Sequence, residues 1–355
     1  MSFSSYERGS GTLRDAVKIC LLVGFYYTFS IGLTFYNKWM FKEFKYPLIT
    51  TCFHFLVVFI LSAFTRTLFL SCREKTPMLE WNTYLKRVFV TGIVSALDIG
   101  LSNWSFVFIT VSLYTMVKST AVLFIMAFAI VFKLEKPKWS LIIIVFFISS
   151  GLFMFVYKSS QFNLEGFILV LMASFLGGIR WTLTQILSQK EELGLTNPID
   201  LMFHLMPTMF IGLFPLAIGH DGKGFFTTNH LFGADRFLNM IPTGFQMLGG
   251  GLLAFMLSTS EYLLLSQTSS LTLSISGIVK EIVTLSIATT YNGDTLSPLN
   301  LVGCLTCLTG ISLHVYLKFQ DYDDDKPSND NLQMTLLSQN STDESEDELF
   351  SYEKR

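Results

Sequence analysis

The sequence predicts an all-α polytopic membrane protein of ten transmembrane helices, arranged as two inverted five-helix repeats. Three observations predict it. Of 355 residues, 51% are hydrophobic and only 15% charged, with a mean hydropathy of +0.49. A soluble chain carries about 25% charged residues. Ten stretches are apolar over the roughly 20 residues that a bilayer crossing requires. The second half of the chain also echoes the first. The scarcity of charge excludes a cytosolic globular enzyme. The net charge of −2 excludes a nucleic-acid binder, which needs a basic excess.

The expected crossings are residues 19–41, 47–70, 88–108, 112–132, 139–157, 166–188, 200–219, 244–264, 271–291 and 298–317. The first is uncharged over 19–37 and is followed by no small-x-small cleavage site, so it reads as a retained helix and not as a signal peptide. Tyr36 and Trp39 suit an interfacial end. Residues 139–157, 201–219 and 295–317 contain no Asp, Glu, Lys or Arg. They are too uniformly apolar for one face of a soluble helix. The third and fourth segments are joined by a tight link around Thr110, and the eighth and ninth by one near Ser266–Ser270. The one long internal loop spans Gly219–Thr243. Its His220 and His230 stand ten residues apart without a ligand cluster, so no metal is expected.

Five cysteines, Cys20, Cys52, Cys72, Cys304 and Cys307, do not form a secreted disulfide framework. Cys304-x-x-Cys307 has redox spacing but no second pair, and lies in LVGCLTCLTG as small packing residues. The domain plan is a cytosolic N-terminus over 1–18, a ten-helix transporter domain over 19–318 with repeats at 19–157 and 166–317, and a disordered acidic tail over 319–355. The body carries 22 Lys+Arg against 16 Asp+Glu, and the tail 3 against 11. Such a tail buries too little apolar area to fold alone. Thirteen Lys and Arg flank the crossings on the side of both termini and five on the other side, which predicts cytosolic termini.

The repeat lies about 160 residues apart. Residues 101–115 align without gaps on 259–273, matching Ser102 to Ser260, Trp104 to Tyr262, Thr110 to Thr268 and Ser112 to Ser270. Val117-Lys118 resembles Val279-Lys280, and Gly151-LFMFVYK echoes Gly310-ISLHVYLK. Five crossings per unit force the second copy to be inverted, the architecture that lets one site open alternately to two sides. This is the main argument for a transporter.

Charge inside hydrocarbon is costly and marks function. Lys38, Lys118, Arg180 and Lys280 fall within crossings, against Asp98, Glu261 and Glu281. That small positive excess suits an anionic substrate. Lys280 sits near the middle of the ninth segment with Ser276 and Thr284 on its face, a cation flanked by hydroxyls. The alternative for it is a structural ion pair. Lys118 is its counterpart, with Tyr114 and Thr115 one turn before it. Arg180 follows Gly177-Gly178, which would allow close backbone approach, and arginine matches phosphate with a planar fork. Lys38 completes a stripe with Tyr27, Ser30 and Thr34, although snorkelling explains it as well. Asp98 and Glu261 are expected to form ion pairs or gates, with Glu261 or Asp98 holding Lys280 when the site is empty and proton coupling as a lesser role. Glu281 lies about 100° around the helix from Lys280 and is expected to pair with another helix. No HExxH, GxSxG or Walker loop occurs, so the chain reads as no enzyme, without cofactor, driven by a gradient or by exchange.

SIGLTFYNKW at 30–39, SLYTMVKSTAVLF at 112–124 and SSLTLSISGIVKEIVTL at 269–285 resemble the drug/metabolite transporter superfamily. The resemblance is to its triose-phosphate and nucleotide-sugar branch, and within it to solute carrier family 35, subfamily C, which includes the GDP-fucose transporter. It covers about residues 16–318 and implies an antiporter in Golgi, intermediate-compartment or endoplasmic-reticulum membranes. The implied activity exchanges a nucleotide sugar, GDP-fucose above others, for a nucleotide monophosphate, supporting fucosylation. Another organophosphate substrate, or a non-transporting regulator of Notch fucosylation, stands as the alternative. The family pattern places substrate-binding lysines at Lys118 and Lys280. In triose-phosphate translocators the second is followed by arginine, where this chain has Glu281. The expected partners are the anionic nucleotide sugar or organophosphate and membrane lipids, with a homodimer left open.

Overall fold

The computed structural model describes residues 4–70, 80–131, 139–156, 162–189, 195, 197–227, 234–267, 270–291 and 297–324. Cys72, His230 and the tail beyond residue 324 lie outside the described residues, as does the side chain of Ser276. Among the described residues there is no strand and there are ten long helices.

Helix α1 spans Ser4–Glu43, so helix begins well before the apolar stretch. Helix α2, Pro47–Leu70, starts on a proline whose missing N–H costs nothing in a first turn. Its next two amides, Leu48 and Ile49, donate to Asp221 Oδ2 at 2.8 and 3.0 Å. A carboxylate there also complements the helix dipole. Helix α3, Val90–Ser105, is entered through Trp81–Thr83 and a π-helical stretch, Tyr84–Phe89.

Thr110 starts helix α4. Its backbone is extended and its hydroxyl accepts from Leu113 N at 3.3 Å, an N-cap that makes the tight link legible in sequence. Helix α4 is broken: it runs Val111–Lys118, pauses at Ser119 and Thr120, and resumes as Ala121–Val131. The freed carbonyl of Val117 accepts from Thr120 Oγ1 at 2.6 Å and from Ser174 Oγ at 3.2 Å. Ser174 belongs to α6, Leu164–Gln189, which follows α5, Ser140–Val156.

Helix α7, Pro198–Ala217, is capped by Asn197, whose side chain accepts from Ile199 N at 2.9 Å. Helices α8, α9 and α10 span Ala234–Gln267, Ser270–Tyr291 and Pro298–Asp324. The expected loop over 219–243 is therefore largely helical: a π-turn at Ile218–Gly222, a short helix at Lys223–Thr227, then the start of α8. Helix α10 likewise runs six residues into the segment read as acidic tail. In both places turn and charge signals were outweighed by continuation of a neighbouring helix.

Among the described residues, four helices are long and apolar enough to cross a membrane by length and composition, at Pro47–Leu68, Leu164–Ser188, Pro198–Phe225 and Ile241–Leu265. Shorter apolar helices lie at Val111–Ile125, Ile143–Met154 and Pro298–Leu313. The molecule is a multi-pass membrane bundle.

Its packing pairs α5 with α10, α3 with α6, α2 with α7 and α1 with α8, while α2 also meets α8 and α3 meets α7. The α5–α10 contact explains the CxxC segment. A Cβ on Gly151 would stand 2.4 Å from Cys307 N, and one on Gly310 would stand 2.9 Å from Ile148 Cγ1. The two repeat-matched glycines thus let these helices touch backbone to backbone, with Cys304 and Cys307 buried and unbonded beside them. One apolar core, around Phe55, Leu187, Leu205 and Leu213, binds α2, α6 and α7. A second, around Met116, Ile148, Leu285 and Ile311, binds α4, α5, α9 and α10. A third, Met40, Phe41, Phe106 and Met247, gathers at the end of the bundle carrying the α1–α2 and α3–α4 links.

Candidate functional site

A cavity of about 440 Å³ lies between the two halves of the bundle. Its wall includes Lys118, Arg180 and Lys280, the acids Asp98, Glu261 and Glu281, and Tyr114, Thr115 and Thr284. Every helix but α5 contributes, α1 through Tyr26, Ser30, Thr34 and Asn37.

Asp98 is the hub. It is 1% exposed, and its Oδ1 accepts from Lys118 Nζ and its Oδ2 from Arg180 Nε at 2.8 Å. Lys118 Nζ also donates to Ser102 Oγ at 3.0 Å. Arg180 reaches further, with Nη2 4.0 Å from Glu261 Oε1 and its guanidinium 4.6 Å from the centroid of the Trp181 ring. Two of the three cavity cations are thus held by one carboxylate. Both of its oxygens are matched, the condition under which a buried charge is tolerated.

Gly177 and Gly178 serve packing in this structure. A Cβ on Gly177 would stand 3.2 Å from Asp98 Oδ2, and one on Gly178 would stand 2.8 Å from the carbonyl carbon of Phe124. The close approach anticipated from these glycines is to a carboxylate and to the α4 backbone.

Lys280 is placed differently. Its ammonium donates to Tyr26 Oη at 3.4 Å and lies 5.7 Å from that ring's centroid. Neither Asp98 nor Glu261 holds it, contrary to the sequence expectation, and among the described residues it makes no ion pair. Thr284 lines the cavity one turn on, but its hydroxyl donates to Lys280 O at 2.7 Å. The Thr115 hydroxyl is likewise spent on Val111 O, at 2.8 Å. Tyr114 packs against Phe106, with ring centroids 4.2 Å apart. Glu281 lines the same cavity as Lys280 and meets Ser119 at the α4 break.

Lys38 leaves the set. Its ammonium donates to Phe106 O at 2.7 Å and to Ile109 O at 2.6 Å, closing the end of α3 where carbonyls lack helical partners. The cavity face of α1 is Tyr26, Ser30, Thr34 and Asn37 instead of Tyr27, Ser30, Thr34 and Lys38. Both stripes satisfy helical spacing, and the tertiary partners decide between them. With Lys38 withdrawn, the wall holds three cations and three acids, so the positive excess counted from sequence is absent when all six are ionised.

Tyr26 and Asn37 were not selected from sequence as site residues. Asn37 heads a buried relay: its Nδ2 donates to Asn103 Oδ1 at 3.2 Å, and Asn103 Nδ2 donates to Thr51 Oγ1 at 2.9 Å. Asn103 is therefore an interior hydrogen-bonding position. The signal available for both was a polar or aromatic side chain one turn from Ser30 or Thr34.

A multi-pass helical bundle with a charged central cavity and a helix broken beside a cavity lysine defines a transporter, not an enzyme. The chain belongs to the Triose-phosphate Transporter family, whose profile matches residues 17–315. It is 37% identical over 86% of its length to "Probable sugar phosphate/phosphate translocator At1g06470" of Arabidopsis thaliana, covering 74% of that protein. It is 27% identical over 87% of its length to the Saccharomyces cerevisiae protein YMD8, provisionally named a nucleotide-sugar transporter, covering 86% of it. It is 26% identical over 94% of its length to "Probable sugar phosphate/phosphate translocator At1g53660" of Arabidopsis thaliana, covering 95% of it. The resemblance to the branch is established. Most of these relatives are named as probable sugar phosphate/phosphate translocators, and their names do not single out solute carrier subfamily C.

Proposed function

We propose that the chain is a secondary transporter that exchanges a phosphorylated sugar, either a sugar phosphate or a nucleotide sugar, against a phosphate-bearing counter-substrate. One observation carries the reading. Lys280 presents an ammonium to the cavity with only a tyrosine hydroxyl at 3.4 Å, while the neighbouring Lys118 and Arg180 share Asp98. A partly buried ammonium with no carboxylate within ion-pair distance is stabilised when an anion enters. Arg180 and Lys118 line the same cavity.

Ten crossings as two inverted repeats fit the pairing of the repeat-matched α5 and α10 through Gly151 and Gly310, and the Lys and Arg distribution supports cytosolic termini. GDP-fucose, exchanged for a nucleotide monophosphate in the early secretory pathway, is the specific substrate favoured by the sequence resemblance. The Arabidopsis relatives' names favour a sugar phosphate exchanged for phosphate, and one experiment separates the two. The purified chain is reconstituted in liposomes preloaded with GMP or with inorganic phosphate, and offered GDP-fucose, a UDP-sugar or glucose 6-phosphate. Uptake that depends on the preload is expected for at least one phosphorylated sugar. Absence of uptake for all combinations overturns the proposal.

A further inference from the structure

Three acids line the cavity, and two of them face cations. Asp98 has a cation on each oxygen, and Glu261 Oε1 lies 4.0 Å from Arg180. Glu281 has neither arrangement. Its Oε2 is buried without any hydrogen-bond partner, and among the described residues the carboxyl forms no ion pair. The groups that face it are few: the Ser119 hydroxyl of α4, the thiols of Cys304 and Cys307 on α10, and, on its own helix, the neighbouring Lys280. Both thiols are buried.

An ionised carboxylate with one oxygen buried away from any donor is costly in a protein interior, whereas a carboxylic acid carries no net charge there, and the rest of the Glu281 carboxyl borders the cavity. The residue is also next to Lys280 on the cavity wall, where an ionised form would repel an incoming phosphate and compete for the ammonium. With all six wall charges present the site is neutral. One proton on Glu281 leaves a net cation, which is what an anion requires.

We propose that Glu281 is a proton-binding site linked to occupation of the cavity: a phosphate-bearing anion binds beside Lys280 while Glu281 carries a proton. This rests on the reading of the cavity as an organophosphate site. The step is a simple transfer. Cavity water delivers H⁺ to the Glu281 carboxylate, an O–H bond forms, and the acid returns the proton to water when the anion leaves. Because binding takes up a proton, affinity rises as pH falls, by at most about tenfold per pH unit for one linked proton.

The test compares wild type with Glu281→Gln, which copies the protonated shape without titrating. Half-saturating concentrations for inorganic phosphate, glucose 6-phosphate and GDP-fucose are measured in liposomes from about pH 5 to about pH 8, the interval over which linkage is read. Ionisation of the probe is common to both proteins and cancels in their ratio. The two should agree at the acid end, and wild type should weaken relative to the variant as pH rises. Glu281→Met, uncharged and of similar volume, makes the same prediction should Glu281→Gln not fold. A ratio that stays flat, or a variant weaker than wild type at every pH, overturns the proton site while leaving the organophosphate reading intact. If wild type takes up none of the three probes, both fall.

Discussion

Helices α4 and α9 are matched by the repeat, carry the matched lysines Lys118 and Lys280, and pack against each other beside the cavity, yet they are built differently. Helix α4 breaks after Lys118 and packs closely on α6, with Gly178 against the Phe124 backbone. Helix α9 is continuous through Lys280 and touches α1 only lightly. Lys118 is bound to Asp98 and Ser102, whereas among the described residues Lys280 donates to Tyr26 alone. The sequence contains the reason. Extending the repeat alignment four residues before Ser102 and Ser260 puts Met256 opposite Asp98, so the second half lacks the carboxylate. One half fixes its cation in ion pairs and the other does not, which under the proposed function leaves the second cation for a ligand. Carriers built on inverted repeats alternate by exchanging the arrangements of their two halves. On this account the close α4–α6 seam and the loose α1–α9 seam are the pair that exchange.

The largest expected effect comes from removing the fixed pairing. Asp98→Asn strands Lys118 and Arg180 together in the interior, and breaking a buried pair costs about 3–5 kcal/mol. A strongly lowered unfolding temperature in detergent, with loss of folded yield, is the expected result. An Asp98→Asn protein as stable as wild type would show that the cations of the first half are not held by this residue.

The seams provide a smaller and oppositely signed pair. Gly178→Ala places a methyl against the α4 backbone, and overpacking of this kind costs about 1–3 kcal/mol. Gly32→Ala on α1 meets nothing within 4 Å and should stabilise the helix by about 0.5–1 kcal/mol. Thermal unfolding of the two variants should therefore move in opposite directions. Equal shifts would remove the distinction between a close and a loose seam.

Tyr26→Phe should have the smallest effect. It removes one long hydrogen bond to Lys280, worth about 0.5–1.5 kcal/mol. Stability should change little, and the half-saturating concentration for the transported anion should shift only a few-fold. A complete loss of uptake would make Tyr26 a substrate ligand in its own right.

Much of this architecture is legible in the sequence because it depends on local signals. Apolar length reveals the segments, Thr110 announces its own cap, and Gly151 and Gly310 sit in matching motifs that pack together. The ionisable residues within apolar runs point to the cavity, since Lys118, Arg180 and Lys280 converge there. Partner choice is not local. Nothing near Lys38 in the chain says that Phe106 and Ile109 carbonyls will claim it, and nothing near Asp98 says that it will take Lys118 and Arg180 and leave Lys280 to Tyr26. The break in α4 is hidden for the same reason. Ser119 and Thr120 are tolerated inside many helices, and here Ser174 from α6 supports the freed carbonyl.

The central claim is that Lys280 is kept for the ligand. Lys280→Gln retains length and hydrogen bonding but removes the charge, and no carboxylate depends on it within ion-pair distance. The direct measurement is preload-dependent exchange of a phosphorylated sugar by Lys280→Gln protein in liposomes, with its unfolding temperature recorded alongside. The account predicts an unfolding temperature close to that of wild type and exchange reduced to background. Folded Lys280→Gln protein that exchanges at the wild-type rate would contradict it, and would move the anion site to Arg180 and Lys118.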